Sequence, residues 1–423
     1  MFRYPTMAKA IIAIAVMTFP GRLTAELKAP FGKLPLGWKV LQSFDASRDQ
    51  TAAISAKLGG QINKLSNTSI SINGRRLQVN ILDCAAPADA EKIHKAVLAT
   101  KGHPAFCLKL GRSVVEFVGD DIDLAIVAAF ELGFKPKPKQ AAYKISFQAA
   151  PIEKADYMSW NKLYNLFLAS DSNPDDPKVK SEISRLCKQF QFANQMTLRT
   201  SGTAKTAATY SLEPNPAART PLSDGDVTQY TFRNLPLKLD TPYVSVAATL
   251  RTAENGFMPT SRRIAPELLR PTEFWPSNDP EIIALADKIT VGCNTQQEKV
   301  NAILKWLQPG KNIKFAGPVT GSRYGVKTVL NQKFGHCWDF SDCFITLSRA
   351  LKIPSRQVAG WLYGQDGHIW AEVLYENQGW QQVDPTGGGL VECGIYHVAY
   401  LTSEDGRMSI LYLAKPKIEL LNN

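Results

Sequence analysis

The sequence predicts an α+β protein, and three patterns support that class. Between Ser69 and Ala149 the chain reads strand, strand, helix, strand, strand, helix, strand. Residues 151–269 are dominated by apolar and polar alternation. From Asp279 onward, helical stripes give way to a strand hairpin. The chain has 423 residues, enough for two to four domains that each bury a core. With 44% apolar, 21% charged and 9% aromatic residues it is not disordered, fibrous or membrane-filling.

Arg3 and Lys9 precede an apolar run from Ala10 to Phe19, followed by Pro20-Gly21-Arg22-Leu23-Thr24-Ala25. This is the layout of a secretory signal peptide over 1–25, cleaved after Ala25, and it predicts a periplasmic or secreted protein. The run is about half the ~20 apolar residues that a spanning helix needs. No later segment is long and apolar enough to span, so no transmembrane segment is expected after cleavage. Losing Arg3, Lys9 and Arg22 with the leader lowers the net charge from +11 to +8. The remaining basic residues are scattered, without interleaved aromatics, which argues against nucleic acid as a partner.

Residues 26–66 carry few signals. Ser69–Ile72 and Leu77–Ile81 alternate around Asn73-Gly74, a hairpin turn signal. Pro87–Thr100 predicts a helix with Ile93, Ala96 and Val97 on one face. Phe106–Leu110 and Val114–Val118 predict a strand pair, Asp121–Leu132 a helix and Tyr143–Ala149 a strand, closing a small α+β domain over 26–150. His94 and His103 read as surface residues. Residues 151–269 form a mixed, β-rich region: Lys178–Phe190 predicts a helix, and Thr197–Leu212 and Val227–Arg251 alternate as strands. Arg262–Pro276 is Pro-rich and irregular.

Residues 270–423 form the last domain. Asp279-Pro280 offers an N-cap and a proline at the first helical position, followed by the stripe Ile282, Ala286 and Ile289. Thr295 and Glu298 form a capping-box pattern before Val300, Ile303 and Leu307, with Trp306 on the same helix. Phe340, Phe344, Leu347 and Leu351 recur at helical spacing, which places Cys337 at a helix amino terminus. The free N–H groups and positive dipole end there stabilise a thiolate and can bind an oxyanion. His368 begins an alternating strand and Asp384 ends the next, so imidazole and carboxylate can serve the thiol. Hairpin parity is the check. A two-residue turn at Asn377-Gln378 sets Asp384 opposite Ala371, on the wrong face; a three-residue loop ending at Gly379, or a bulge, restores it.

Gly335-His336-Cys337-Trp338-Asp339-Phe340, Leu347 to Arg356, Gly367-His368-Ile369-Trp370-Ala371-Glu372-Val373, Gly379-Trp380 and Val383-Asp384-Pro385-Thr386 resemble the transglutaminase-like core of the papain-like thiol superfamily. The resemblance covers about 270–400. It implies a papain-like fold, with Cys337 on a helix packed against an antiparallel sheet that carries His368 and Asp384. It also implies Cys337 as nucleophile, His368 as general base and acid, and Asp384 as the orienting carboxylate. Trp338 fits the residue after the nucleophile; an upstream oxyanion donor would be Trp306 or Tyr324. The expected activity is acyl transfer on peptide or glutamine-type amides through a thioester, hydrolytic rather than crosslinking. The expected partner is a peptide or protein substrate, or a cell-envelope polymer, and no cofactor is called for. The alternative is a non-catalytic module of the same fold that binds peptide or envelope material. A metal site from His336, Cys337, Cys343 and His368 lacks the usual ligand spacing. His336 suits a surface or gating role, His397 a structural one, and Gly387-Gly388-Gly389 a flexible turn. Seven cysteines with Cys337 kept free leave Cys84, Cys107, Cys187, Cys293, Cys343 and Cys393 for up to three bridges, Cys84–Cys107 among them.

Overall fold

The computed structural model describes residues 31, 34–35, 38–72, 74–99, 105–119, 121–200, 208–222, 225–254, 258, 266–318, 321–365, 367–376, 378–387 and 393–421. The leader expected over 1–25, Asn73, His103 and Gly388-Gly389 lie outside them. The chain divides into two compact units, Met1–Lys137 and Pro138–Asn423. No helix among the described residues is long and apolar enough to cross a membrane.

The first unit runs β1 (Trp38–Asp45), α1 (Arg48–Leu58), β2 (Ile62–Ile72), β3 (Arg75–Cys84), α2 (Pro87–Ala99), β4 (Ala105–Leu110), β5 (Ser113–Val118) and α3 (Ile122–Glu131). Its antiparallel sheet has the order β1-β2-β3-β5-β4. Ile72 pairs with Arg75 across a two-residue turn, and Gly74 takes φ +85°, where glycine is free of the Cβ clash. α2 buries Ile93 and Val97 with Leu65, Leu82 and Val114, and Asp121 caps α3. β1 and α1 fall where the sequence carried few signals. β1 is a half-exposed edge strand, and α1 buries only Thr51 and Leu58.

The second unit begins with β6 (Gln140–Lys154), α4 (Tyr157–Ser172), α5 (Pro177–Cys187), β7 (Gln191–Phe192), β8 (Gln195–Arg199), β9 (Ala208–Glu213), β10 (Ala218–Leu222), β11 (Val227–Thr231), β12 (Leu237–Lys238), β13 (Thr241–Pro242) and β14 (Val244–Ala253). After a 3₁₀ turn at Pro266–Leu268 come α6 (Pro280–Ile289), α7 (Gln296–Leu307), β15 (Lys314–Phe315), α8 (Val326–Gln332), β16 (Phe334–Gly335), α9 (Cys337–Ala350), β17 (Ser355–Leu362), β18 (Gly367–Tyr375), β19 (Gly379–Val383), β20 (His397–Ser403), β21 (Ile410–Tyr412) and β22 (Lys417–Leu421). The expected strand Tyr143–Ala149 lies within β6, which belongs to this second unit. It pairs with β14 on one side and with β21 and β22 on the other. Alternation shows a strand but not the distant partner that claims it.

The four-stranded antiparallel sheet β19-β18-β17-β20 carries the C-terminal half. α9 packs against it with α6, α7 and α8, and Phe340, Phe344 and Leu347 are buried with Ile282, Val300, Ile303, Ala371 and Val373. Asp279 caps α6, and Thr295 with Glu298 closes the capping box of α7, both as the sequence predicts.

No disulfide joins any of the seven cysteines among the described residues, which corrects the expectation of bridges. For Cys84 and Cys107 the reason is geometric. β5 lies between β3 and β4, and Cys107 pairs with Glu116, whereas the β3 end containing Cys84 runs alongside Ser113. Two strands at ~4.8 Å spacing already separate the backbones by about 10 Å, past the ~7 Å reach of a disulfide. Cys343 is sealed in the core of α9.

Candidate active site

Cys337 is the first residue of α9. The chain reaches it through β16, and His336 is extended at φ −115°. Asp339 reaches back, its Oδ2 accepting the His336 N–H at 3.0 Å and its Oδ1 the Tyr324 N–H at 2.7 Å. Burial pushes the Asp339 carboxyl up to about 6 against those two donors. Gly335 leaves room for this, since a Cβ there would sit 2.7 Å from the Asp339 Cβ. The next turn is held by Asp342, which receives Arg323 Nε at 2.6 Å, Trp275 Nε1 at 2.8 Å and Gln357 Nε2 at 3.0 Å. These bonds fix α9, and so the thiol, against the 321–325 loop and β17.

His368 lies on β18, opposite Gly360 of β17. Tyr375 pairs with Gly379, so the hairpin loop is the three-residue 376–378, and Ala371 faces Val383. Continuing that register sets Asp384 level with Trp370, on the face of His368. His368 Nε2 meets Asp384 Oδ2 at 2.7 Å, and the Cys337 thiol lies close enough to the same ring to favour its charged form. With Nε2 taken by Asp384, Nδ1 is the nitrogen left for the thiol. Asp384 Oδ1 accepts the Thr386 N–H at 2.9 Å and its hydroxyl at 2.6 Å. Trp370 stacks beneath His368 with ring centroids 5.8 Å apart, and its own N–H donates to Gln382 at 3.0 Å.

Burial opposes a charged imidazolium at His368, but the Asp384 charge and hydrogen bond, with Cys337 adding to them, outweigh it and raise the ring to about 10. Burial works against the Asp384 carboxylate too, and His368 and His397 hold it below the usual carboxylate range.

His397, read from sequence as structural, points its Nε2 at the same Asp384 oxygen from 3.2 Å. No spacing rule links residues 384 and 397, so only the fold brings them together. The ligand atoms of His368, Asp384 and His397 lie within 4.8 Å of one another, a set able to hold a metal. Their mutual hydrogen bonds already account for the clustering. His336 is buried rather than on the surface, its ring edge-on to Phe315 at 5.3 Å.

A cleft of about 320 Å³ is lined by Trp160, Tyr164, Trp338, Trp361, Tyr412 and Lys415 together with Cys337 and His368. Trp338 is thus in the cleft, where it packs against Trp160 at 6.4 Å and under the Arg323 guanidinium. Trp306 packs on the helical core, and Tyr324 lines a separate hollow of about 600 Å³. Sequence reasoning missed α4, which supplies Trp160, Asn161, Tyr164, Asn165 and Leu168 as one wall.

Helix-start cysteine, strand histidine and strand-end aspartate in this order meet a family comparison. Residues 283–385 match the family model of the transglutaminase-like superfamily. The C-terminal region is a transglutaminase-like core. The matched stretch contains Cys337, His368 and Asp384 but not His397. The uncharacterised protein YebA of Bacillus subtilis is 27% identical over 27% of this chain and 18% of its own length, so this chain spans less than a fifth of that relative. A candidate cysteine protease from Cytophaga hutchinsonii superposes at TM-score 0.40 and 16% identity, covering 67% of this chain and 89% of its own. The periplasmic domain of TgpA from Pseudomonas aeruginosa superposes at 0.31 and 16%, covering 63% and 91%.

Proposed function

We propose that the protein is a cysteine-dependent acyl-transfer enzyme that cleaves peptide or glutamine-type amides through a thioester, with Cys337 as nucleophile, His368 as general acid and base and Asp384 as the orienting carboxylate. The observation that carries this reading is the sequence of Cys337 thiol, His368 ring and Asp384 Oδ2, with the first two lining the aromatic cleft. The Cys337 thiolate attacks the amide carbon, and the oxyanion forms at the amino terminus of α9. Trp338, beside the nucleophile in the cleft, shapes the approach. As the C–N bond breaks, the His368 imidazolium gives its proton to the departing amine. His368 then takes a proton from water, whose oxygen attacks the thioester. The acid leaves, and thiolate and imidazolium are restored.

Water is the favoured acceptor. Among the described residues lining the cleft, Lys415 is the charged side chain outside the Cys337–His368 pair, and its positive charge opposes the approach of a lysine ammonium. The arrangement at 1–25 supports export, and a mature amino terminus at Glu26 in the purified exported protein would check it. The functional test compares wild type with Cys337→Ala on glutamine-containing peptides, with and without a primary amine. Ammonia or cleavage products lost with the mutation support hydrolysis. Amine incorporation instead would make the protein a crosslinker, and absence of any Cys337-dependent product would remove the enzyme reading.

A further inference from the structure

Asp384 is shared by two histidines. His368 Nε2 lies 2.7 Å and His397 Nε2 3.2 Å from the same Oδ2, while Thr386 occupies Oδ1 through two bonds. His397 is 1% exposed, so its role is not set by solvent. The Gly394 N–H approaches its Nδ1 at 3.4 Å, which makes Nδ1 the acceptor and leaves the proton on Nε2, aimed at Asp384. Burial keeps this ring from taking a second proton, pushing it below its ordinary value. The Trp370 ring stands edge-on to it at 5.1 Å and also stacks on His368, so one indole braces both imidazoles. The titratable groups facing one another here are His368 from β18, Asp384 after β19, His397 from β20 and, on the far side of His368, Cys337 from α9.

We propose that His397 is a positioning residue of this site: its Nε2–H donates to the Asp384 oxygen that holds His368, fixing the carboxylate in its ionised, correctly aimed state. It does not touch substrate. The inference rests on the acyl-transfer reading above for its effect on turnover, but not for its effect on thiol reactivity.

Two substitutions separate donation from packing. His397→Phe keeps the ring and removes the donor; His397→Gln restores an N–H at the position of Nε2. Each is measured two ways, by kcat and KM on the cleaved peptide and by the pH profile of Cys337 alkylation with iodoacetamide. The Phe variant is expected to lose about tenfold or more in kcat with KM within about twofold, the size of one hydrogen bond to a charged group. Its acid limb of alkylation moves to higher pH, because an Asp384 without this donor protonates earlier and releases the His368 imidazolium. The Gln variant recovers both. In an Asp384→Asn background His397→Phe adds less than about twofold, since the two act through one group. If the Phe variant fails to fold, His397→Asn, whose amide stops short of Asp384, takes its place. A Phe profile that superimposes on wild type, a Gln variant as impaired as Phe, or full multiplicative losses in the double variant would overturn the proposal. A wild type that alkylates normally but turns nothing over would refute acyl transfer, and the alkylation series would still decide the role of His397.

Discussion

Cys337, His368 and Asp384 come from the start of a helix, the start of a strand and the end of its neighbour, and one face of the sheet joins them. Asp384→Asn leaves the ring without its anion. Peptide turnover should fall about a hundredfold or more, the scale of losing a poised general base. The same pair makes a pH prediction for stability. His368 is raised from an ordinary 6.5 to about 10, so its contribution is complete below 6.5 and drains away as pH rises to 10. Asp384 is depressed from 3.8, so its contribution is complete above 3.8 and is lost only in stronger acid. Both are therefore present between 3.8 and 6.5. Thermal melts should show wild type losing more stability from pH 6.5 to 10 than His368→Gln; parallel curves would refute the raised imidazole. The three residues were legible because their motifs carry local signals. The parity of the hairpin was not, and the three-residue loop settles it. His397 was invisible because nothing in its neighbourhood ties it to Asp384.

At the scale of elements, the site depends on close backbone packing at Gly360. At Gly360 a Cβ would collide with the Val398 carbonyl and come within 2.7 Å of the Trp370 ring. Gly360→Ala should therefore cost about 1–3 kcal/mol in urea unfolding, the range of overpacked cores, and should slow turnover by shifting the ring beneath His368. Neutral behaviour in both assays would mean that β17 and β20 yield more easily than their register suggests. Helices α6 and α7 were readable from caps and stripes because each buries one face, whereas α9 is buried from Trp338 to Arg349 on every side and only its apolar stripe was legible. α4 was not, because Tyr157, Met158, Trp160, Leu163, Tyr164, Leu166, Phe167 and Leu168 spread apolar groups around it. One side feeds the core through Leu163 and Phe167, and another lines the cleft through Trp160, Tyr164 and Leu168. A helix with two apolar faces gives no clean period.

At the scale of the molecule, the transglutaminase-like core is tied to chain far before it. β21 and β22 pair with β6, and Trp160 of α4 donates to the Ile410 carbonyl at 3.2 Å. The buried Glu372 of β18 receives Arg199 of β8 at 2.5 Å and Arg356 of β17 at 3.0 Å. A fragment of 270–423 would leave Glu372 without Arg199 and expose the edges of β21 and β22 that β6 covers. It should unfold without a cooperative transition, whereas 138–423 should melt cooperatively. A stable, active 270–423 fragment would contradict this. The split of the chain was only partly legible, since pairing of β21 with the far earlier β6, such as Ile410 with Pro151, leaves no local trace. The most direct test of the whole account is site-resolved alkylation at pH 6 with turnover followed in parallel. Iodoacetamide should modify Cys337 ahead of the other six cysteines, and peptide cleavage should fall in step with that modification. Cleavage that survives complete modification of Cys337 would contradict it.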